Sequence, residues 1–316
     1  MNETVKGHIV ILLTNIIFGI NTPLAKNALS SVGPYAMTTF RFAGCTVLFW
    51  AASLILHPPK INKKDIGLLC IASLFGIVFN LFLFILGLYY TTPTNASIIV
   101  SMTPIFTMIL AFVFLREPLT IKKALGVACG LTGALILIFT KQGVSAMAKN
   151  NTLGIIFVVI SSISYAIYLT LFSKLIKRNH PVNIMKWMFL ASTIVVLPIT
   201  YPHLRSLDFA SITSTTWLEI SYVVVLATFL NYLFIPMGQA RLRPTTLSMY
   251  NYVQPVVTTT IAIITMMDVL TIYKVLAAIL IFSGVYIVTT SRSKKQTEEI
   301  KNAANTLEDI TSQIKK

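Results

Sequence analysis

Long apolar runs of about twenty residues, the length that a membrane-crossing helix needs, alternate with short polar connections along most of the chain. The runs show no residue-by-residue alternation of apolar and polar positions, which excludes a transmembrane barrel. We predict ten membrane-spanning helices, at residues 8–28, 34–56, 66–88, 93–115, 119–140, 153–175, 182–201, 216–238, 244–267 and 270–290.

The second half of the chain repeats the first. The segment PTNASIIVSMTPIF begins at Pro93, and PTTLSMYNYVQPVV begins at Pro244, 151 positions later. Nearer the start of each half the offset is 147, since Pro34 matches Pro181. Each half holds five predicted helices, and an odd number gives the two copies opposite orientations in a membrane. The predicted fold class is therefore all-α, with ten transmembrane helices arranged as two inverted five-helix repeats around a central cavity.

This duplication divides the chain into four predicted parts. They are a first repeat at 7–140, an outer linker at 141–151, a second repeat at 152–290 and a polar cytoplasmic tail at 291–316. In the tail, Ile300, Leu307 and Ile314 recur every seventh residue. Both a short amphipathic helix and a solvated segment fit that pattern.

Basic residues support this topology. The chain has a formal net charge of +15, but its basic residues lie in short clusters between apolar runs and in the tail, as in cytoplasmic loops, and do not indicate nucleic-acid binding. Charge also changes sides between the copies: Lys63 becomes Ser214, and Tyr90 becomes Arg241. We expect a multi-pass protein of the cell membrane with both termini in the cytoplasm.

A charged stretch, FLREPLTIKK, interrupts the apolar pattern after the fourth predicted helix. Its Glu117 aligns with Asp268 in the second copy, and each acid precedes a helix that opens with a Leu-Thr pair. Negative charge near a helix N-terminus is favourable, so we predict helix caps at Glu117 and Asp268. The three cysteines lie singly within apolar runs and form no disulfide or metal-binding spacing.

The ordered set of motifs across both halves resembles the EamA family of the drug/metabolite transporter superfamily. The first copy carries FGINTPLAK, the pair Arg41-Phe42, and GLYYTTPTNASIIVSMTPIF followed by FLREPLTIKKALGVACGLTGALILI; the second carries GQARLRPTTLSMYNYVQPVV and LTIYKVLAAILIFSGVYIV. The resemblance implies a ten-helix inverted-repeat carrier that moves small metabolites, often amino acids or related compounds, through a cavity between the halves. It does not choose a substrate.

Polar side chains deep within the predicted helices are the candidates for contact with a substrate. Small hydroxyl side chains also bond to their own helix backbone, and amides also join neighbouring helices, so a purely structural role stays open for each. The candidates are Asn15, Asn21, Thr22, Arg41, Asn80, Ser101, Tyr165, Tyr168, Asn231, Tyr250, Asn251 and Gln254.

Arg41 is the most informative of these residues because a charge within a membrane is costly and faces a wet interior or a partner. It lies seven positions after Pro34 and aligns with Met188 in the second copy. Three interpretations stay open: Arg41 attracts a substrate carboxylate, helped by Lys26; it pairs with Glu219; or it extends to the interface as an anchor. Glu219 is also the one acid within a predicted span that suits a proton carrier.

The predicted function is secondary transport of a small polar or amphipathic metabolite, most simply export, by alternating access. The sequence has no phosphate-binding loop of the G-x-x-x-x-G-K-[ST] kind and no histidine pair at metal-ligand spacing, so we expect neither ATP hydrolysis nor enzymatic activity nor a cofactor. A receptor or scaffold without transport and a drug-efflux carrier are the alternatives. The expected partners are a small molecule and the lipid bilayer; monomer and homodimer both stay open.

The predicted topology is testable with single cysteines at Lys63 and Ser214, introduced after the native cysteines are replaced. Because these positions correspond in oppositely oriented copies, we expect a membrane-impermeant thiol reagent to label Lys63→Cys only from the cytoplasmic side and Ser214→Cys only from the outside. Labelling of both from one side would contradict the inverted repeat.

Overall fold

The computed structural model describes residues 3–115, 120–139, 149–239, 250 and 253–290, and within them the chain forms helices and connections without a strand. The shorter pieces are Ser173–Arg178 and a 3₁₀ turn at Phe209–Ser211. The main helices are α1 (residues 3–32), α2 (34–56), α3 (Lys63–Tyr90), α4 (Pro93–Val100 and Thr103–Leu115), α5 (Ile121–Phe139), α6 (Asn151–Leu171), α7 (Pro181–Arg205), α8 (214–239), α9 (Val253–Ile264) and α10 (Ile272–Thr290).

Six helical stretches within the described residues are long and apolar enough to cross a membrane, so the chain is an all-helical, multi-pass membrane protein. Val253–Ile264 and Ile272–Ile287 are shorter apolar helices. The six long stretches are Val5–Leu56, Lys63–Tyr90, Pro93–Phe114, Asn151–Leu171, Pro181–Arg205 and Ser214–Ile235.

Two of these stretches are interrupted where the sequence places glycine or proline. Gly33 has φ 72° and ψ 168°, which breaks Val5–Leu56 into α1 and α2 directly before Pro34. In α4, Pro104 has no N–H to donate to the carbonyl of Val100, and the Thr103 hydroxyl donates to that carbonyl instead, at 2.7 Å. Both breaks are therefore stabilised locally, one by a residue without a Cβ and the other by a side-chain hydroxyl.

Helices α3 and α8 share an unusual interior. Each contains nine residues of π-helix, Leu74–Phe82 in α3 and Tyr222–Leu230 in α8. Their N-cap residues, Asn62 and Thr213, lie 151 positions apart, the offset of the sequence repeat. A π-helix widens the backbone and is frequent at functional sites. The same irregularity is thus present in the corresponding helix of each half.

At the centre of the molecule, α2 contacts its own counterpart, α7. The hydroxyls of Thr46 and Thr193 lie 2.9 Å apart, and these residues are related by the offset of 147. The rings of Phe42 and Phe189, which have the same relation, meet edge to face with centroids 6.3 Å apart. Each of these residues therefore contacts the position that corresponds to it in the other half.

The contacts on either side of this centre give the direction of the two helices. Seven residues before Thr46, Thr39 donates to Thr200 at 2.7 Å. Seven residues after it, Ser53 accepts from the Lys186 ammonium at 2.8 Å. Because the partner number falls as the number in α2 rises, α2 and α7 run antiparallel. The offset of 147 relates Thr39 to Lys186 and Ser53 to Thr200, so the two contacts join corresponding pairs of positions.

Helices α5 and α10 form the most extensive helix pair among the described residues. A Cβ on Gly133 would lie 2.8 Å from the carbonyl oxygen of Ala277, and one on Gly284 would collide with that of Gly126. The offset of 151 relates Gly133 to Gly284 and Gly126 to Ala277, so this contact is also made twice. The backbones approach closely because small residues occupy the interface.

Replacing Gly284 by alanine is therefore expected to destabilise the protein. The new methyl group would collide with the Gly126 carbonyl, and overpacking of this kind costs about 1–3 kcal/mol. The matched control is Gly67→Ala in α3, where nothing lies within 4 Å of the new Cβ. We expect thermal unfolding in detergent to show a lower melting temperature for Gly284→Ala only, and equal melting temperatures would contradict the proposed close approach.

Candidate functional site

Arg41 is the largest fully buried side chain among the described residues, with 2% of its surface exposed. It lies in α2, and its Nε donates to the Thr228 hydroxyl at 2.7 Å. Thr228 in turn donates to the carbonyl of Val223, five residues earlier, at 2.7 Å. This side-chain bond spans the same five-residue step as the backbone hydrogen bonds of the π-helix in α8. The widened turn thus holds the acceptor that orients the Arg41 guanidinium.

The corresponding contact in the other half is apolar. Met188 replaces Arg41, and Ile77 stands where Thr228 does. Gly76, which precedes Ile77 in α3, faces Met188. A Cβ on Gly76 would lie 3.1 Å from the Met188 Cε and 2.8 Å from the Tyr168 ring. Both π-helices therefore face a corresponding position of α2 or α7, but only one of the two positions carries a charge.

Three tyrosines form a group that reaches this charge through Tyr232. The rings of Tyr165 and Tyr168 in α6 stack with centroids 6.0 Å apart. Tyr232 in α8 lies within electrostatic range of Arg41 and Tyr165. Within the described part of the chain, the three tyrosine hydroxyls make no hydrogen bond. Their oxygen atoms are also absent from the fully buried polar atoms that lack a hydrogen-bond partner, so none of the three is completely enclosed. We define Arg41, Tyr165, Tyr168 and Tyr232 as the central cluster, formed by both halves.

Sequence reasoning predicted Arg41, Tyr165 and Tyr168 but missed Thr228 and Tyr232. Threonine within an apolar helix is ordinary, and its role here depends on the π-turn, which leaves no clear mark in the sequence. Tyr232 did carry a signal, because it directly follows the repeated Asn231 and corresponds to Leu81 in the first half. A polar group present in only one copy was the feature that distinguished Arg41 as well.

The repeated asparagines join the two halves. Asn80 donates to the Ser161 carbonyl and hydroxyl at 3.2 Å, and Ser161 donates back to the Asn80 carbonyl at 2.7 Å. Asn231 donates to the Thr14 carbonyl at 3.3 Å. Since Thr14 corresponds to Ser161, the contact of α3 with α6 recurs between α8 and α1. This geometry supports the role of these amides in joining helices.

The candidates on α1 are bonded mainly to their own helix. Asn15 donates to the Ile11 carbonyl at 2.9 Å, and Thr22 donates to that of Phe18 at 3.2 Å. Asn21 is 2% exposed, and its side-chain oxygen is sealed without a hydrogen-bond partner in the described chain. Asn15 and Thr22 therefore have the backbone contacts typical of polar residues in membrane helices, whereas Asn21 does not.

Pro23 leaves a backbone carbonyl of α1 available for a hydrogen bond from α9. Because proline has no N–H, it leaves the carbonyl of Gly19 without its usual donor, and the Thr258 hydroxyl donates to that carbonyl at 2.9 Å. A Cβ on Gly19 would lie 2.6 Å from the Val257 Cβ and 3.1 Å from the Gln254 carbonyl oxygen. This brings Gln254, a predicted site residue, against the middle of α1.

The remaining candidates are placed apart from the central cluster or outside the described residues. Ser101 lies at the break in α4 and donates to the Ile98 carbonyl at 2.6 Å. The Tyr250 hydroxyl lies 2.8 Å from the Nδ1 of His8, near the start of α1. Asn251 lies outside the described residues.

Glu219 does not meet Arg41. Within the described residues no ion pair joins the two side chains; the Glu219 Oε1 accepts from the Asn27 amide at 2.5 Å, and its Oε2 is sealed without a partner. The predicted alternative of an Arg41–Glu219 pair is therefore not found. Glu219 links the start of α8 to α1 instead.

Lys26 is engaged by the backbone. Its ammonium donates to the carbonyls of Leu88, Tyr89 and Thr91, each at 2.8 Å. An ammonium has three N–H donors, so all of them are used at the C-terminal end of α3. Positive charge is favourable at that end of a helix. Lys26 thus stabilises α3 and offers no free donor to a substrate.

The predicted caps differ in detail. Asp268 is 4% exposed, accepts from the Val269 N–H at 2.8 Å and forms an ion pair with Lys274. The side chain that accepts from the first turn of α10 is Thr271, from the Lys274 N–H at 3.4 Å. In α5 Thr120 makes the corresponding contact, with the Lys123 N–H at 3.3 Å. Glu117 lies outside the described residues.

The described residues contain no group of three or more His, Cys, Asp or Glu side chains that could hold a metal ion. The described residues provide a buried arginine without an acidic partner, several tyrosine hydroxyls and amides, and helix contacts repeated in both halves. Residues 5–139 and 152–290 each match the model of the EamA-like transporter family. The chain belongs to this family of the drug/metabolite transporter superfamily. It is a transporter rather than an enzyme.

Two relatives that match nearly the whole EamA-like chain are named as uncharacterized transporters. It is 29% identical over 290 residues to an uncharacterized transporter of Archaeoglobus fulgidus, covering 91% of this chain and all of the relative. It is 24% identical over 285 residues to the uncharacterized transporter YyaM of Bacillus subtilis, covering 88% and 92%. A crystal structure of another protein aligns with a TM-score of 0.61 at 16% identity, over 90% of this chain and 96% of that one. That likeness concerns the fold alone.

The contacts of Lys26 predict a stabilising role. We expect Lys26→Met to lower the free energy of unfolding by about 2 kcal/mol, because charge-assisted hydrogen bonds to three carbonyls are lost. Thermal unfolding in detergent measures this, with Lys63→Met at the exposed start of α3 as the matched control. An unchanged melting temperature combined with weaker solute binding would instead make Lys26 a substrate ligand.

Proposed function

We propose that this EamA-like protein is a secondary carrier that moves a small polar or amphipathic metabolite across the cell membrane by alternating access. In this proposal ten transmembrane helices form two inverted repeats, residues 7–140 and 152–290, with the transport path between them. The repeats exchange roles as the path opens to one side and then to the other.

The observation that carries the proposal is the antiparallel contact of α2 with α7. These helices occupy the same place in the two halves, so corresponding helices run in opposite directions, as an inverted repeat requires. The paired contacts of α5 with α10, and of the two asparagines with Ser161 and Thr14, support the same two-fold relation. A carrier built this way has two related arrangements of its halves, which is the physical basis of alternating access.

The direction of insertion follows from charge. Lys63 and Lys64 precede α3, whereas their counterparts Ser214 and Thr215 begin α8. Since basic residues are retained on the cytoplasmic side, we propose that both termini lie in the cytoplasm. The outer linker at 141–151 would then connect the repeats on the opposite face.

The central cluster supports a small substrate with limited charge. It is formed by α2, α6 and α8, at the junction of the halves where a carrier binds its substrate. One buried cation and three tyrosines suit a metabolite with one anionic group and some apolar surface. An amino acid or a related compound meets this description, and export is the direction we propose.

Reconstituted flux tests the proposal directly. Comparison of metabolites in cells and medium, with and without overexpression, first selects the solutes to be labelled. We then expect the purified chain in liposomes to accelerate entry of a selected labelled solute in a saturable manner. Unlabelled solute trapped inside should increase the initial rate, because a carrier returns faster when it is loaded.

Protein-free liposomes and liposomes that contain an unrelated membrane protein are the controls. Saturable binding of the labelled solute without flux would support a receptor and would overturn the carrier function. Flux that persists without saturation, and without stimulation by internal solute, would indicate a channel or a leak and would also contradict alternating access.

A further inference from the structure

We infer that Arg41, together with the hydroxyls of Tyr165 and Tyr232, binds a single carboxylate group of the solute. This inference rests on the proposed carrier function, which it deepens by naming the chemical class of the substrate. The ligand is a small monocarboxylate with an apolar part, a class that includes the zwitterionic amino acids.

The free donors of Arg41 are the first support. A guanidinium carries five N–H donors in a planar fork that matches the two oxygens of a carboxylate. Among the described residues, Thr228 is the one hydrogen-bond partner of the guanidinium, and it uses Nε. Within the described residues the two terminal nitrogens have no acceptor, although the side chain is 2% exposed. Thr228 therefore fixes one edge of the fork and leaves the other edge for a ligand.

The absence of a neighbouring acid is the second support. A buried cation without a counter-charge is costly and favours binding of an anion. The buried acids of the described chain have other partners: Asp65 bonds to Arg178, Asp268 to Lys274, and Glu219 to Asn27. None of them neutralises Arg41, so an anionic ligand would supply the missing charge.

The surroundings limit the ligand to one negative charge. The position that corresponds to Arg41 holds Met188, and Lys26 already uses its donors on three carbonyls. A phosphate or dicarboxylate would require a second cation, and none faces the central cluster in the described residues. The rings of Tyr168 and Phe189, both buried in the apolar core, instead favour an apolar group beside the carboxylate.

Stabilisation by ligands tests the inference on the full-length chain in detergent. The probes are L-leucine, 4-methylpentanoate, which lacks the amine, and isoamylamine, which lacks the carboxylate, all at equal ionic strength. At a concentration about tenfold above Kd, we expect the two carboxylates to raise the melting temperature by roughly 3 °C. Isoamylamine should produce no shift.

The variants are chosen to preserve the fold. Arg41→Met introduces the residue that the other half carries at this position, and we expect it to abolish the shift. Arg205→Met at the exposed end of α7 is the matched control and should retain the wild-type shift. Thr228 is a positioning residue, so Thr228→Val should reduce the shift while Thr228→Ser, which keeps the hydroxyl, should preserve it.

The inference is overturned if no carboxylate stabilises the wild type, if isoamylamine stabilises it equally, or if Arg41→Met retains the shift. Flux of the same probes in liposomes separates the two proposals. Stabilisation that depends on Arg41 without flux would leave the site standing and remove the carrier function. Saturable flux that is unchanged in Arg41→Met would leave the carrier and remove the site.

Discussion

The contact of α2 with its own counterpart α7 is the constraint on which the rest of the structure depends. Because corresponding helices meet there, Thr46 contacts Thr193 and Phe42 contacts Phe189, so the side chains at the middle of this interface must fit against their own repeat positions. Lipid tails are as apolar as leucine, so hydrophobicity does not drive helices together within a membrane; close packing and hydrogen bonds do. Hydroxyl pairs and glycines meet that requirement in both halves.

Within this repeated framework, the departures from symmetry are the chemically informative positions. Arg41 and Thr228 in one half correspond to Met188 and Ile77 in the other. Each π-helix therefore lies beside one of two corresponding positions, Arg41 in α2 and Met188 in α7, and of these two only Arg41 is charged. In the proposed carrier, a solute with one anionic group would bind at this one charged position.

Much of the fold was predictable from particular residues. The break at Gly33 lies between the predicted helices 8–28 and 34–56. The interruption of α4 was not predicted, since residues 93–115 were expected to form one helix, although Pro104 marks the place. The similar starts of α3 and α8 follow the sequence repeat, because the side chains of Asn62 and Thr213 both accept a hydrogen bond at the N-cap. The candidate site was only partly predictable. Arg41 was evident because charge is rare in a membrane, whereas Thr228 gained its role from an i→i−5 bond that the sequence does not mark. The predicted ion pair of Arg41 with Glu219 is absent from the described residues, because Glu219 bonds to Asn27 and the Arg41 Nε bonds to the Thr228 hydroxyl. A hydroxyl or an amide can bond to a buried charge in place of an opposite charge.

The sequence by itself determined the class of protein, the apolar runs and the duplication, because a bilayer demands long apolar helices that satisfy their own backbone hydrogen bonds. Tertiary structure alone decided which helices meet and which polar groups face one another. Those choices depend on the rotation of each helix about its axis and on the register between distant segments. An apolar residue that faces lipid and one that faces protein look alike in the sequence, so neither quantity can be read from the hydrophobic pattern.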